Sequence, residues 1–131
     1  MVSLTPEQKK LFEDKNFAFV ATVNKDGSPQ VTATWVDTDG KNVLVNVATS
    51  RQKFRNISKD PRVAVALVDQ KNPYEEIIIR GKVISMEKGR VADDHIDKMS
   101  KKYTGQDKYE SRRPGEQRVL LTIEPSKIVM W

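Results

Sequence analysis

The chain has 131 residues, 31% charged and 37% hydrophobic, with a formal net charge of +5 from 23 Lys and Arg against 18 Asp and Glu. That length suits one domain over 1–131 with a modest core, and so polar a chain gains from burying surface in an oligomer. The absence of Cys excludes disulfides and thiolate metal sites, and a single His excludes a His-pair metal site.

The lack of Cys fits a reducing cytoplasm. Met1 to Lys10 has no apolar core of a signal peptide, and no apolar run approaches the roughly 18 residues that a membrane-spanning helix needs. Acids and bases alternate almost everywhere, so the mild positive excess predicts neither a nucleic-acid track nor a membrane-binding face.

Ser3 to Asn16 reads as a short amphipathic helix. Thr5 is the expected N-cap, Pro6 suits the first turn and Gln8 completes a capping box, while Leu11 and Phe12 supply the apolar side. Phe17 to Val23 is predicted as a strand, Asn24 to Gly27 as a turn and Gln30 to Asp37 as a second strand. In that strand Val31, Ala33 and Trp35 alternate with Thr32, Thr34 and Val36. The threonines are expected on the barrel's outer face. Thr38 to Lys41 is a second turn and Val43 to Ala48 a third strand, so these three strands predict an antiparallel meander.

A basic segment follows at once. Thr49 with Gln52 reads as a capping box that starts a helix running to about Ser58, where Asp60-Pro61 stops it. Arg51, Lys53 and Arg55 lie within the first two turns. Cations at a helix N-terminus oppose the dipole, and a bound phosphate or carboxylate would reverse that penalty. The segment is therefore either an anion site or a solvated basic turn.

Arg62 to Asp69 is predicted as a strand buried on both faces. Tyr74 to Met86 is a long strand with a bulge or bend at Gly81. Arg90 to Tyr103 is a helix with Val91, His95, Ile96, Met99 and Tyr103 on one stripe, ended by Thr104-Gly105, and His95 on that stripe reads as structural rather than catalytic. Gln106 to Gln117 is a polar loop. Arg118 to Glu124 and Lys127 to Trp131 are terminal strands separated by Pro125. The sum is an α+β, mainly β chain: about six antiparallel strands in a small barrel with short helices.

No nucleophile elbow, phosphate-binding P-loop or dinucleotide-binding G-x-G-x-x-G is present. An anion-binding helix start beside a barrel, without acid–base or metal machinery, is the profile of a protein whose cofactor carries the reactivity.

Several stretches carry a resemblance in the same order: 17–23, 26–36, 46–57, Asp60 to Ala64, and Ile96 to Gly105. The chain resembles the pyridoxamine 5′-phosphate oxidase-like proteins, and most of all the branch that uses the deazaflavin coenzyme F420. The resemblance implies an FMN-binding-like split β-barrel that forms a homodimer with two cofactor clefts at the interface. It implies that Arg51 and Lys53 hold the cofactor phosphate, that Ser50 belongs to the same turn, and that Asn56 fixes it. Gln30, Val31, Thr32 and Ala33 would run under the ring, with Val47, Ala48 and Thr49. Tyr103, Lys108 and Tyr109 would approach the second subunit's cleft. The ending 126–131 lacks the basic substrate motif of the oxidases, so a reductase passing hydride from F420 to a small organic substrate is the expectation. The alternatives are an FMN-dependent oxidoreductase of the same fold and a non-catalytic flavin- or deazaflavin-binding protein.

Overall fold

The computed structural model describes residues 2–130. Trp131, the end of the last predicted strand, lies outside them.

Helix α1 (Pro6–Glu13) begins with the predicted capping box: the Thr5 hydroxyl accepts from the Gln8 N–H, and the Gln8 amide accepts from the Thr5 N–H. Leu11 and Phe12 are buried. Then come β1 (Ala18–Val23), β2 (Pro29–Thr34), β3 (Asp37–Thr38), β4 (Val43–Ala48), α2 (Gln52–Lys59), β5 (Arg62–Val68), β6 (Glu76–Lys88), α3 (Arg90–Thr104) and β7 (Arg118–Met130). The strands form one antiparallel sheet in the order β2-β1-β5-β6-β7-β4-β3.

That order dictates a barrel. β2 and β3 are opposite edges, yet only Trp35 and Val36 separate them in sequence. Seven flat strands would hold their edges about 29 Å apart, whereas a three-residue step reaches at most about 11 Å. The sheet must curl until its edges meet, and among the described residues no ladder joins them: the barrel is split along a seam between β2 and β3–β4. Inside it lies a core with Phe12, Val20, Val45, Val65, Leu67 and Ile79 among its members.

The meander expected from the first three strands is not formed. β1 pairs with β2, but β4 pairs with β7 along its whole length. Tight turns made the local pairing look favourable, and the long partner strand β7 outcompetes it. The second predicted strand is broken after Thr34, where the chain crosses the seam. Thr32 and Thr34 sit opposite Val20 and Ala18 in register, so they share the core-facing side, and Val31 and Ala33 take the outer one.

β5 is not buried on both faces. Val63, Val65 and Leu67 are in the core, while Ala64, Ala66 and Val68 are half-buried on the outside. β7 runs unbroken through Pro125, which pairs with Gly81 where the register shifts. Gly81 is required there, because a Cβ would come 2.3 Å from the Glu124 carbonyl oxygen.

On α3 the buried stripe is Ala92, His95, Ile96, Met99 and Ser100; Val91 is exposed. Gly105 ends this helix in the left-handed region, as its sequence predicts. Among the described residues no helix is long and apolar enough to cross a membrane.

Candidate functional site

A cavity of about 730 Å³ lies along the seam. β2 supplies one wall, β4 and the start of α2 another, and α3 with the loop after it the third.

The start of α2 differs from its sequence reading. Thr49 and Gln52 form no capping box. Arg51 is the N-cap, and no side chain caps the turn. The Thr49 N–H is instead tied to the Gln117 carbonyl. The first-turn N–H groups are thus left without a side-chain acceptor.

Lys53 dominates the electrostatics. It is 8% exposed, and its Nζ donates to the Thr32 hydroxyl at 3.2 Å. Burial pushes this ammonium down from 10.5 to about 8, and the charges of Arg51 and Arg118 push the same way. Among the described residues neither Lys53 nor Arg51 forms an ion pair with a carboxylate, whereas Arg118 has Glu116 at 3.5 Å. A buried cation with cationic neighbours is a costly arrangement, and an anion in the cavity offsets it.

A second set of contacts fixes this turn to the sheet. The Gln52 amide donates to Asn56 Oδ1 at 2.7 Å. The Asn56 amide donates to the Thr22 hydroxyl and Asn24 Oδ1, both at 2.9 Å. The Thr22 hydroxyl donates to Gln30 Oε1 at 3.0 Å, and Gln30 itself lines the cavity.

Of the residues singled out in the sequence, the fold brings Gln30, Thr32, Ala33, Val47, Ala48, Arg51 and Lys53 together around the cavity. Val31 is 61% exposed on the outer face of β2, and Ser50 is exposed in the turn. Thr49 and Asn56 are not among the residues that line it. Arg55 folds back onto its own turn, donating to the Ser50 carbonyl and to Gln52.

Sequence reasoning missed the far wall, made by Trp35, Asn46, Ile96, Ser100 and Arg118. Trp35 stacks on Tyr103 with ring centres 5.2 Å apart and meets the Tyr109 ring edge-on at 6.0 Å. Tyr109 therefore borders the cleft of its own chain, and Tyr103 packs against the Trp35 ring. The Tyr103 hydroxyl donates to the Asn16 carbonyl and accepts from the Val36 N–H, which holds the seam crossing against α3. Asp97 anchors the loop after α3: it accepts from the Tyr109 N–H at 2.8 Å and from Arg112 at 3.2 Å. Alternation within one strand carried no sign of this wall, because its parts are brought together from the crossing after β2 and from β4, α3 and β7.

Chemically, the cavity offers a cationic end, amide and hydroxyl donors, and an aromatic wall. Among the described residues no group of three or more His, Asp and Glu is placed to hold a metal. The site suits a planar ligand with an anionic tail.

Comparison with known proteins agrees with the fold. A chain described as an F420 reductase is 30% identical, with 96% of this chain and 98% of that one covered and a TM-score of 0.82. A conserved hypothetical protein of Mycobacterium tuberculosis is 22% identical over 100% of this chain and 86% of its own, with a TM-score of 0.78. General Stress Protein 26 of Bacillus anthracis is 17% identical, covering 92% and 88%, with a TM-score of 0.67. The sequence pattern described as pyridoxamine 5′-phosphate oxidase matches residues 4–131. With the split barrel, the seam cavity and that match over nearly its whole length, the chain belongs to the pyridoxamine 5′-phosphate oxidase family.

Proposed function

We propose that this chain is an F420-dependent reductase that transfers hydride to a small organic substrate. Family membership and the 30% match to an F420 reductase support an oxidoreductase of flavin or deazaflavin type. The observation that carries the reading to a phosphate-bearing cofactor is Lys53, buried beside Arg51 without a carboxylate. The donor set fits such a group: an ammonium, a guanidinium, and an uncapped helix start. Lys53 and Arg51 hold the phosphate. Gln30, Thr32 and Ala33 from one side, and Val47 and Ala48 from the other, border the ring. Asn56, with the turn at Thr49 and Ser50, keeps the cradle in place. F420 supplies the hydride chemistry, while the protein binds, orients and excludes water.

A homodimer belongs to the same proposal. Phe19 and Val31 are exposed at 47% and 61%, beside Ala33, Ala64, Ala66 and Ile78 on the outer face of the sheet. A second copy would cover this apolar face. The proposal places the protein in the cytoplasm, with neither nucleic acid nor membrane as partner.

The test is a fluorescence titration of purified protein with F420 and with FMN. F420 should bind at micromolar strength and more tightly than FMN, and Lys53→Ala should weaken it about ten-fold or more. Tighter binding of FMN would replace F420 by the flavin. Undiminished binding by Lys53→Ala would remove the phosphate assignment. Binding without substrate-dependent oxidation of the reduced cofactor would leave a binding protein.

A further inference from the structure

Four buried polar side chains run in a line from the edge strand β3 to the cleft: Asp37, His95, Asn46 and Arg118, each 6–8% exposed. Arg118 Nε donates to Asn46 Oδ1 at 2.8 Å. A guanidinium only donates, so this contact fixes which end of the Asn46 amide is oxygen. The amide nitrogen then points the other way. It donates to the Ala92 carbonyl at 2.9 Å and meets His95 Nδ1 at 3.2 Å. That nitrogen has no lone pair to offer, so His95 Nδ1 is the acceptor. The imidazole proton must sit on Nε2, which faces Asp37 Oδ2 at 3.1 Å; Lys98 Nζ holds the same oxygen at 3.2 Å.

One protonation pattern satisfies every contact: an ionised Asp37 and a neutral His95 with its proton on Nε2. An imidazolium, or the other tautomer, sets N–H against N–H at Asn46. With its Nδ1 acceptor lost, the Asn46 amide nitrogen keeps the Ala92 carbonyl as its one partner, so the Oδ1 that receives Arg118 is held less firmly. Asn46 and Arg118 both border the cleft, and Arg118 is one of the two charges that depress the Lys53 ammonium.

We propose that His95, acting through Asn46, is a positioning residue for anion recognition in the cleft: its neutral Nε2–H tautomer orients the amide that aims Arg118. The inference rests on the anion-binding reading of the cleft. Asp37 and Lys98 fix the tautomer from outside. A packing role alone would need no acceptor at Nδ1, which separates the two possibilities by experiment.

His95 is the chain's single histidine, so a nitrogen-labelled histidine sample gives one ring to assign by NMR. At neutral pH the spectrum should show a bare Nδ1 and a protonated Nε2, and the Nδ1 resonance should shift when F420 is added. An imidazolium or an Nδ1–H tautomer overturns the proposal, as does an Nδ1 resonance indifferent to saturating F420. In parallel titrations His95→Leu should weaken F420 binding about five- to ten-fold, the scale of a misplaced charge-assisted bond. His95→Asn, whose Oδ1 can accept from Asn46, should recover most of it. Equal binding by the two variants also overturns it. Lys53→Ala is run alongside: if that variant binds as the wild type does, the anion reading fails by itself, whereas the tautomer and rescue results judge the relay.

Discussion

Lys53 carries its charge where the fold disfavours it, and the sign of that effect can be measured. Burial lowers its pKa from 10.5 to about 8. The folded chain therefore holds this proton less firmly than the unfolded one, and between about pH 8 and 10.5 this residue makes stability rise with pH. Anion binding runs the opposite way. A phosphate prefers the charged ammonium, so affinity for F420 should be flat below pH 8 and about ten-fold weaker at pH 9 than at pH 7. Titrations across this range should show the break in the wild type and none in Lys53→Ala. Asp37 behaves in the reverse sense. Burial pushes its carboxyl up, but the bonds from His95, the Thr38 N–H and Lys98 outweigh that and hold it at about 2, below 3.8. Its contribution is present above about pH 4 and lost as pH falls toward 2. Asp37→Asn should cost about 2 kcal/mol at pH 7, with the gap closing near pH 2, as read by urea denaturation. At this scale the sequence announced Lys53 and Arg51, because like charges at a helix start are conspicuous. Asn46, His95 and Arg118 gave no such signal: their meaning lies in contacts between residues 46, 95 and 118, far apart along the chain.

Among the elements, the long β6–β7 ladder depends on one residue without a side chain. A methyl at Gly81 would collide with the Glu124 backbone, which cannot move without shifting the paired strand. Gly81→Ala should lower stability by more than about 2 kcal/mol, seen as an earlier urea midpoint. An unchanged midpoint would mean that the bulge relaxes freely. Signals confined to a few residues were legible: the Thr5 and Gln8 capping box, the bend at Gly81, the stop at Gly105. Thr49 and Gln52 had the same signature as Thr5 and Gln8, yet the chain makes another turn first and Arg51 takes the cap position. There the tie between the Thr49 N–H and Gln117 overrides the local preference. The pairing of β4 with β7 was illegible for a related reason: strand pairing at long range is chosen by the whole sheet.

For the whole molecule, the class of fold was readable from strand count, inserted helices and the resemblance, but the edge-to-edge order of the sheet was not. The outer face of β1, β2 and β5 is where the proposed homodimer would form. Phe19→Asp or Ala66→Glu should convert a dimer into a monomer in analytical ultracentrifugation, and a wild-type monomer at tens of micromolar would refute the assembly. The seam has a further consequence for how this barrel breathes. Only two residues tether β2 to β3, and among the described residues a single side-chain bond, from Lys53 to Thr32, reaches across the gap from α2 to β2. A ligand seated there touches both lips, so it acts as a staple. Amide hydrogens along the free edge of β2 should exchange quickly in the empty protein and slowly once the staple is in, making cohesion of the barrel itself a gauge of occupancy.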